Sequence, residues 1–313
     1  MLKNRRQLLI ATATALAAAA LPAYAQDAFP SKTITLIVPA AAGGPTDTVS
    51  RLIAESMTKT LGQTVIVENA GGAGGTIGIW HMSHATAPAL YDNLTYKAVE
   101  DFDHIGRVTD VPMTLVSKAA LPAKDIGELV TWIKGNKEKV TYGHAGIGSG
   151  SHLCTMLLES ALKVEMLGVG YKGTGPAMND LLGGQFEIMC DQTTNTTNQI
   201  KTGKIKGFAV TTKTKVSSVP ELPTLDSTAI KGFDLSIWHA MWAPKGLPKD
   251  VTDKLVAALQ AALKDPKVVE RFAGLGTEPV SADLATPAAL QSHLTAELVK
   301  WGTVIKAAGV KAN

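Results

Sequence analysis

Apolar residues along the chain fall into short β-branched runs. Each is followed by a turn of small residues and then by apolar positions three and four apart. The first such unit opens with Thr33-Ile34-Thr35-Leu36-Ile37-Val38, which predicts a buried strand. It turns through Pro39-Ala40-Ala41-Ala42-Gly43-Gly44-Pro45-Thr46-Asp47 into Val49, Leu52, Ile53, Ser56 and Met57, one face of a helix. A second unit has the strand Val140-Thr141-Tyr142, the turn His144-Ala145-Gly146-Ile147-Gly148-Ser149-Gly150-Ser151-His152 and the helical positions Leu153, Met156, Leu157 and Leu162. Further strands are expected at 64–69, 164–169, 186–189, 207–212 and 238–243, and two strand-like pieces flank Pro112 within 105–116. Helices are expected from Asp125, placed as an N-cap, through Ile133, over 177–182, and in two long patterns from Asp250 to Leu263 and from Pro287 to Ala308. Alternation of this kind implies an α/β protein with mainly parallel sheets and ligands at the carboxyl ends of the strands.

Each glycine-rich turn runs into a helix start. The first N–H groups of a helix lack internal partners and carry the positive end of its dipole, so these turns are candidate anion sites. A plain strand-to-helix turn favours the same residues, but two matched turns about a hundred residues apart suit a cleft between two lobes. A third glycine run, Gly71-Gly72-Ala73-Gly74-Gly75-Thr76-Ile77-Gly78, follows the strand at 64–69. Neither this run nor the second turn fits a dinucleotide or Walker fingerprint, and no cofactor is expected.

The N-terminus changes the picture of charge and compartment. Lys3, Arg5 and Arg6 precede an apolar run from Leu8 to Leu21 and then Ala23-Tyr24-Ala25, an export signal with cleavage expected after Ala25. The whole chain carries a net charge of +3, and residues 1–25 hold three basic and no acidic side chains, which leaves the mature chain at zero. A nucleic-acid footprint is therefore not supported. Arg51, Arg107 and Arg271 are the only mature arginines, so backbone amides must carry more of any anion binding. In an oxidising compartment Cys154 and Cys190 can form one bridge; two buried thiols are the equal alternative. His81, His84 and His104 read as surface or packing histidines, not metal ligands. About 290 mature residues suit two lobes, expected at 26–104 with 222–313, and at 105–221.

Several pieces taken in order resemble the periplasmic substrate-binding proteins of tripartite tricarboxylate transporters, the Bug family. They are Val38-Pro39 with Gly43-Gly44-Pro45-Thr46-Asp47, Glu68-Asn69 before the third glycine run, Tyr142 with Gly146-Ile147-Gly148-Ser149 and Ser151-His152-Leu153, Tyr171-Lys172-Gly173 with Pro176, Asp180-Leu181-Leu182-Gly183-Gly184-Gln185, Pro223-Thr224-Leu225, Trp242-Ala243-Pro244-Lys245-Gly246-Leu247-Pro248 and Trp301. The resemblance implies a two-lobed periplasmic binding protein fold of type II, a monomer that closes on a small organic acid and passes it to membrane transport subunits. It also implies a carboxylate held largely by backbone amides, from Ala41, Ala42, Gly43, Gly44 and Thr76 in one lobe and Gly146, Gly148, Ser149 and Ser151 in the other. Asp47 would either brace the first loop or act as a simple helix-start carboxylate, and Asp191 would face the distal end of the ligand.

Relatives usually carry a helix and a strand after the third glycine run. Here Gly78 passes within a few residues to Ala85-Thr86-Ala87-Pro88-Ala89-Leu90-Tyr91, as if about fifteen residues, a helix plus a strand, were missing. Either the first lobe lacks a central strand, or residues 79–84 supply a replacement. Other functions stay in view: a sensor docking on a membrane receptor, an amino-acid binder with Asp191 meeting the ammonium group, and an exported hydrolase using Ser149 or Ser151 with His152. The hydrolase lacks the Gly-x-Ser-x-Gly spacing. Ligand identity is open, since citrate, smaller dicarboxylates and aromatic acids fit the same amide cradle.

Overall fold

A computed structural model describes residues 29–69, 78–136 and 139–311. The export signal ending at Ala25 and the candidate ligand residue Thr76 lie outside the described residues. The main compact unit runs from Thr33 onward. Its strands are β1 (Ile34–Val38), β2 (Val65–Asn69), β3 (Gly78–His81), β4 (Phe102–Lys118), β5 (Thr141–His144), β6 (Leu167–Gly170), β7 (Ile188–Gln192), β8 (Ile205–Val210) and β9 (Ser236–Pro244). Its helices are α1 (Pro45–Leu61), α2 (Ser83–Leu90), α3 (Ile126–Asn136), α4 (Gly150–Leu162), α5 (Thr174–Leu182), α6 (Thr193–Lys201), α7 (Lys249–Lys264), α8 (Pro266–Gly274) and α9 (Pro287–Ala308).

The strands form one sheet in the order β2-β1-β3-β9-β4-β7-β5-β6, with β8 paired to β4 off this path. The βα units pair in parallel as their alternation requires: β1 with β2 and β3, and β5 with β6 and β7. The long strands β4 and β9 run antiparallel to each other and to their other partners, so the sheet is mixed. The two pieces expected around Pro112 are one continuous strand of 17 residues. Pro112 has no N–H for a ladder, and it stands where β4 changes partners. Phe102 to Pro112 pair with β9, and Met113 to Lys118 pair with β7 and β8.

The strand expected to be missing is present. Gly78 pairs with Ile37 of β1, and Gly78 to His81 pair with Trp242 to His239 of β9. With four residues and no alternation, β3 gives little local signal; its neighbours on both sides make it a strand. Trp80 lies against His84, Tyr96, Phe102 and Trp242, and His84 donates from Nε2 to the Ala98 carbonyl at 2.9 Å. Burial holds the His84 pKa down at about 4, which is the chemistry of a packing histidine.

The helices cover the sheet with the faces their spacing predicts. In α1, Val49, Ile53 and Met57 are buried; in α7, Leu255, Ala258, Leu259 and Ala262 are. Asp125 caps the start of α3 by accepting from the Glu128 amide at 2.9 Å. Cys154 in α4 and Cys190 in β7 form a disulfide with their Cα atoms 6.1 Å apart.

Candidate functional site

Four helices begin at one place. Gly44, Ser149, Gly173 and Gln192 are the N-cap residues of α1, α4, α5 and α6, and all four line a single cavity. Pro45, Thr46, Gly150, Ser151 and Thr174 add the first helical residues of three of them. Each helix start carries roughly half a positive charge in unpaired N–H groups. No Lys or Arg is among the cavity's described lining residues. Helix starts that converge in this way can attract an anion without a cationic side chain.

The first loop is held by side chains behind it. The Gly43 amide donates to Asp47 at 2.9 Å, and Arg51 binds the same carboxylate through Nε at 3.0 Å. Arg51 also donates to Asn69, whose own amide donates to the Ala40 carbonyl at 3.0 Å. Burial alone would raise the pKa of Asp47, but hydrogen bonds from Arg51 and Gly43 outweigh it and the carboxyl lies below its ordinary value. Asp47 thus braces the loop. The bracing directs the Gly43 amide at Asp47, and Ala41 and Gly44 are left at the cavity wall.

The second loop is braced in the same way. Gly146 donates to His144 Nδ1 at 3.1 Å, Gly148 to His152 Nδ1 at 3.1 Å, and Ala145 to Ser151 Oγ at 2.9 Å. Ser149 Oγ lies 3.1 Å from Ser151 Oγ and accepts from the backbone amide of His152. Burial holds both imidazoles below their usual range, His152 at about 4, so each stays a neutral acceptor. The His152 ring is occupied by the Gly148 amide, and neither serine is bonded to it. A serine–histidine pair is therefore not assembled among these residues.

The third loop packs on the first. Gly173 has φ +122°, and a Cβ there would stand 3.1 Å from the Ala41 Cβ. A Cβ on Gly175 would stand 3.3 Å from both the Ala42 carbonyl and the Gly44 amide nitrogen. Glycine at these positions allows backbone to meet backbone across the cleft. The cavity beneath has a volume of ≈ 40 Å³, near the space of one water and far below an organic acid's needs. A roomier groove of ≈ 720 Å³ runs along α9 between Ala288 and Val299, but its lining has no charged side chain.

The fourth loop is the direct step from β7 to α6. Asp191 is fully buried and accepts from Asn195 Nδ2 through Oδ2 at 2.5 Å. Burial pushes its pKa up to about 7, against opposing hydrogen bonds from the Asn195 side chain, the Gln192 backbone and the Thr174 side chain. No donor meets Asp191 Oδ1, or Gln192 Oε1, at hydrogen-bonding geometry. Opposite them His81 reaches the cavity from β3, and its cross-strand neighbour His239 lies 3.2 Å from Thr46 Oγ1 through Nε2. Burial lowers the two imidazoles to about 4 and about 3.

Of the residues expected to bind, Ala41, Gly44, Ser149, Ser151 and Asp191 line the cavity; Ala42, Gly43, Asp47, Gly146 and Gly148 stand behind it as loop framework. Thr46, His81, Gly173, Thr174, Gln192 and Ile237 line it without having been named as ligand residues. Gly173-Thr174 carries the same signal as the two recognised turns, a glycine before a helix start. His81 and Ile237 carry none.

The family described as the tripartite tricarboxylate transporter family receptor matches residues 49–310. The chain belongs to that family. Among its curated relatives, a UPF0065 protein of Agrobacterium vitis from the TAR-I ttuE-ttuC' intergenic region is 51% identical over 302 residues, covering 92% of this chain and 87% of that one. Among solved structures, the periplasmic binding protein BugD is 48% identical with a TM-score of 0.88, covering 91% of this chain and 100% of its own. MatC of Rhodopseudomonas palustris, solved with bound malate, is 34% identical with a TM-score of 0.83, covering 88% of this chain and 100% of its own. This receptor therefore has the periplasmic binding protein fold, in a family of solute-binding proteins. No described helix of the receptor is long and apolar enough to cross a membrane.

Proposed function

We propose that this receptor captures a small carboxylate between two lobes and delivers it to the membrane subunits of a tripartite transporter, without chemical change to the ligand. The observation that carries the reading is the convergence of four helix N-termini on one cavity whose described lining has no cationic side chain. An anion near one helix end gains about 0.3–1 kcal/mol at an exposed site and up to about 2 when partly buried, so four ends supply a useful affinity. The carboxylate is held mainly by amides of the loops at Ala41, Gly44, Ser149 and Ser151. Residues 26–104 with 222–313 form one lobe and 105–221 the other, and the lobes separate to admit the ligand and close over it. The contact of Gly173 and Gly175 with Ala41 to Gly44 is the seam that opens. The protein works as an exported monomer after cleavage behind Ala25.

The test is a thermal unfolding series against small carboxylates and matched uncharged amides. At a hundred times its dissociation constant a ligand adds about 2.7 kcal/mol, roughly 5 °C for a chain of this size. Carboxylates should raise the transition and their amides should not. A transition moved equally by both would overturn the anion reading.

A further inference from the structure

The cavity wall has a second pole, and it is made of acceptors. Asp191 Oδ1 is buried without a hydrogen bond at the carboxyl end of β7, and Gln192 Oε1 beside it is buried and equally unpaired. Among the hydroxyls of the wall, those of Ser149 and Ser151 are engaged with each other and with loop amides and that of Thr46 with His239, while the Thr174 side chain stands beside Asp191. Asp191 is also fixed in place. Asn195 grips its other oxygen, and Cys190 before it is bonded to α4. The carboxyl cannot easily turn toward another partner.

We propose that the ligand carries a hydrogen-bond donor, a hydroxyl or an ammonium group, close to its anchored carboxylate, and that Asp191 with Gln192 recognises that donor. The inference rests on the carboxylate reading above and narrows it. A ligand with carboxylate oxygens alone would set acceptor against acceptor at this pole and leave Asp191 Oδ1 unpaired after closure. A ligand with an O–H or N–H group satisfies it. Leaving a buried acceptor unsatisfied corresponds to roughly a 10- to 100-fold change in affinity.

Calorimetric titration of the wild-type protein against acids of one skeleton, differing only at carbon 2, tests this. The sets are propionate, lactate and alanine; succinate, malate and aspartate; glutarate, 2-hydroxyglutarate and glutamate. In whichever set binds, the hydroxy or amino acid should be roughly 10- to 100-fold tighter than the unsubstituted acid. Comparing these two arms identifies which donor is used. In Asp191→Asn the ratio should narrow, most for an ammonium ligand. An unsubstituted acid that binds as tightly as both substituted ones overturns the inference and leaves the carboxylate reading standing. Failure of every acid in all three sets overturns the inference, and the carboxylate reading falls with it only if the thermal series above is negative for every acid as well.

Discussion

The bond between Cys154 and Cys190 ties α4, whose first turn forms one wall of the cavity, to β7, whose last residues form another. Replacing both cysteines by alanine removes the link and two buried sulfur atoms without introducing a polar atom, so any cavity left behind adds to the loss. The cysteines are 36 residues apart in sequence. Closing a loop of that length in the unfolded chain is worth about 4 kcal/mol at 25 °C by the chain-entropy relation. For a compact unit of this size the loss corresponds to a melting temperature lower by roughly 7 °C. Urea unfolding of the oxidised wild type and of the double variant, each followed by fluorescence and circular dichroism, gives the difference directly. Ligand affinity should fall as well, since the two walls are then free to shift relative to each other. A stability loss under about 1 kcal/mol would refute the chain-entropy reasoning. Two thiols that alkylate in the native protein would refute the bond itself.

Two further outcomes follow from the same geometry. In Gly175→Ala the new Cβ presses on the Ala42 carbonyl and the Gly44 amide only when the loops are together; overpacking of this kind is worth about 1–3 kcal/mol, so ligand affinity should drop roughly 5- to 150-fold while helix α5, which gains an alanine, keeps the unliganded protein folded. Unchanged affinity by calorimetry would mean that this seam does not open and close. Stability should also fall on acidification. His84 and His239 have folded pKa values of about 4 and about 3, below the unfolded value near 6.5, so their contribution is present above pH 6.5 and is lost as pH falls toward 4. His84 alone accounts for roughly 3 kcal/mol across that window. Asp191 works the other way. Its raised folded pKa gives stability that is present below about pH 4 and lost as pH rises through about 7, so Asp191→Asn should gain stability relative to wild type at pH 8 but not at pH 4. Melting temperatures across pH 4–8 check both slopes, and a flat wild-type profile would show that these groups are not titrating as their burial requires.

Much of the frame was legible because its signals are local. The βα units announce themselves by β-branched runs, glycine turns and three-four spacing, and β1, α1, β5 and α4 stand where that pattern puts them. Asp191 was reachable as an acidic residue at a strand end entering a helix. Less local facts were not legible. Pro112 divides two apparent strands in the sequence, but β4 passes through it because the partner strands change there. β3 is a strand because β1 and β9 hold it, although Trp80 and His81 give no period. That pairing is also what brings His81 to the cavity.

The largest difference between expectation and structure concerns what the glycine loops do. Sequence logic makes each loop amide a donor to the ligand, yet Gly43, Gly146, Gly148 and Ala145 direct their N–H groups at Asp47, His144, His152 and Ser151 of the same chain. The bracing has a purpose that the count of amides conceals. A loop free to satisfy its own amides with water would have to be ordered by the ligand, at an entropic expense taken from affinity. On the proposed reading, the braced first and second loops hold their helix starts in fixed directions before any ligand arrives and leave the amides at Ala41, Gly44, Ser149 and Ser151 to meet it. Selectivity then falls to the few side chains that are not part of the bracing. Asp191 and Gln192 are the pair left with unpaired acceptors, which is why the choice among acids should be decided at β7 and not at the glycine loops.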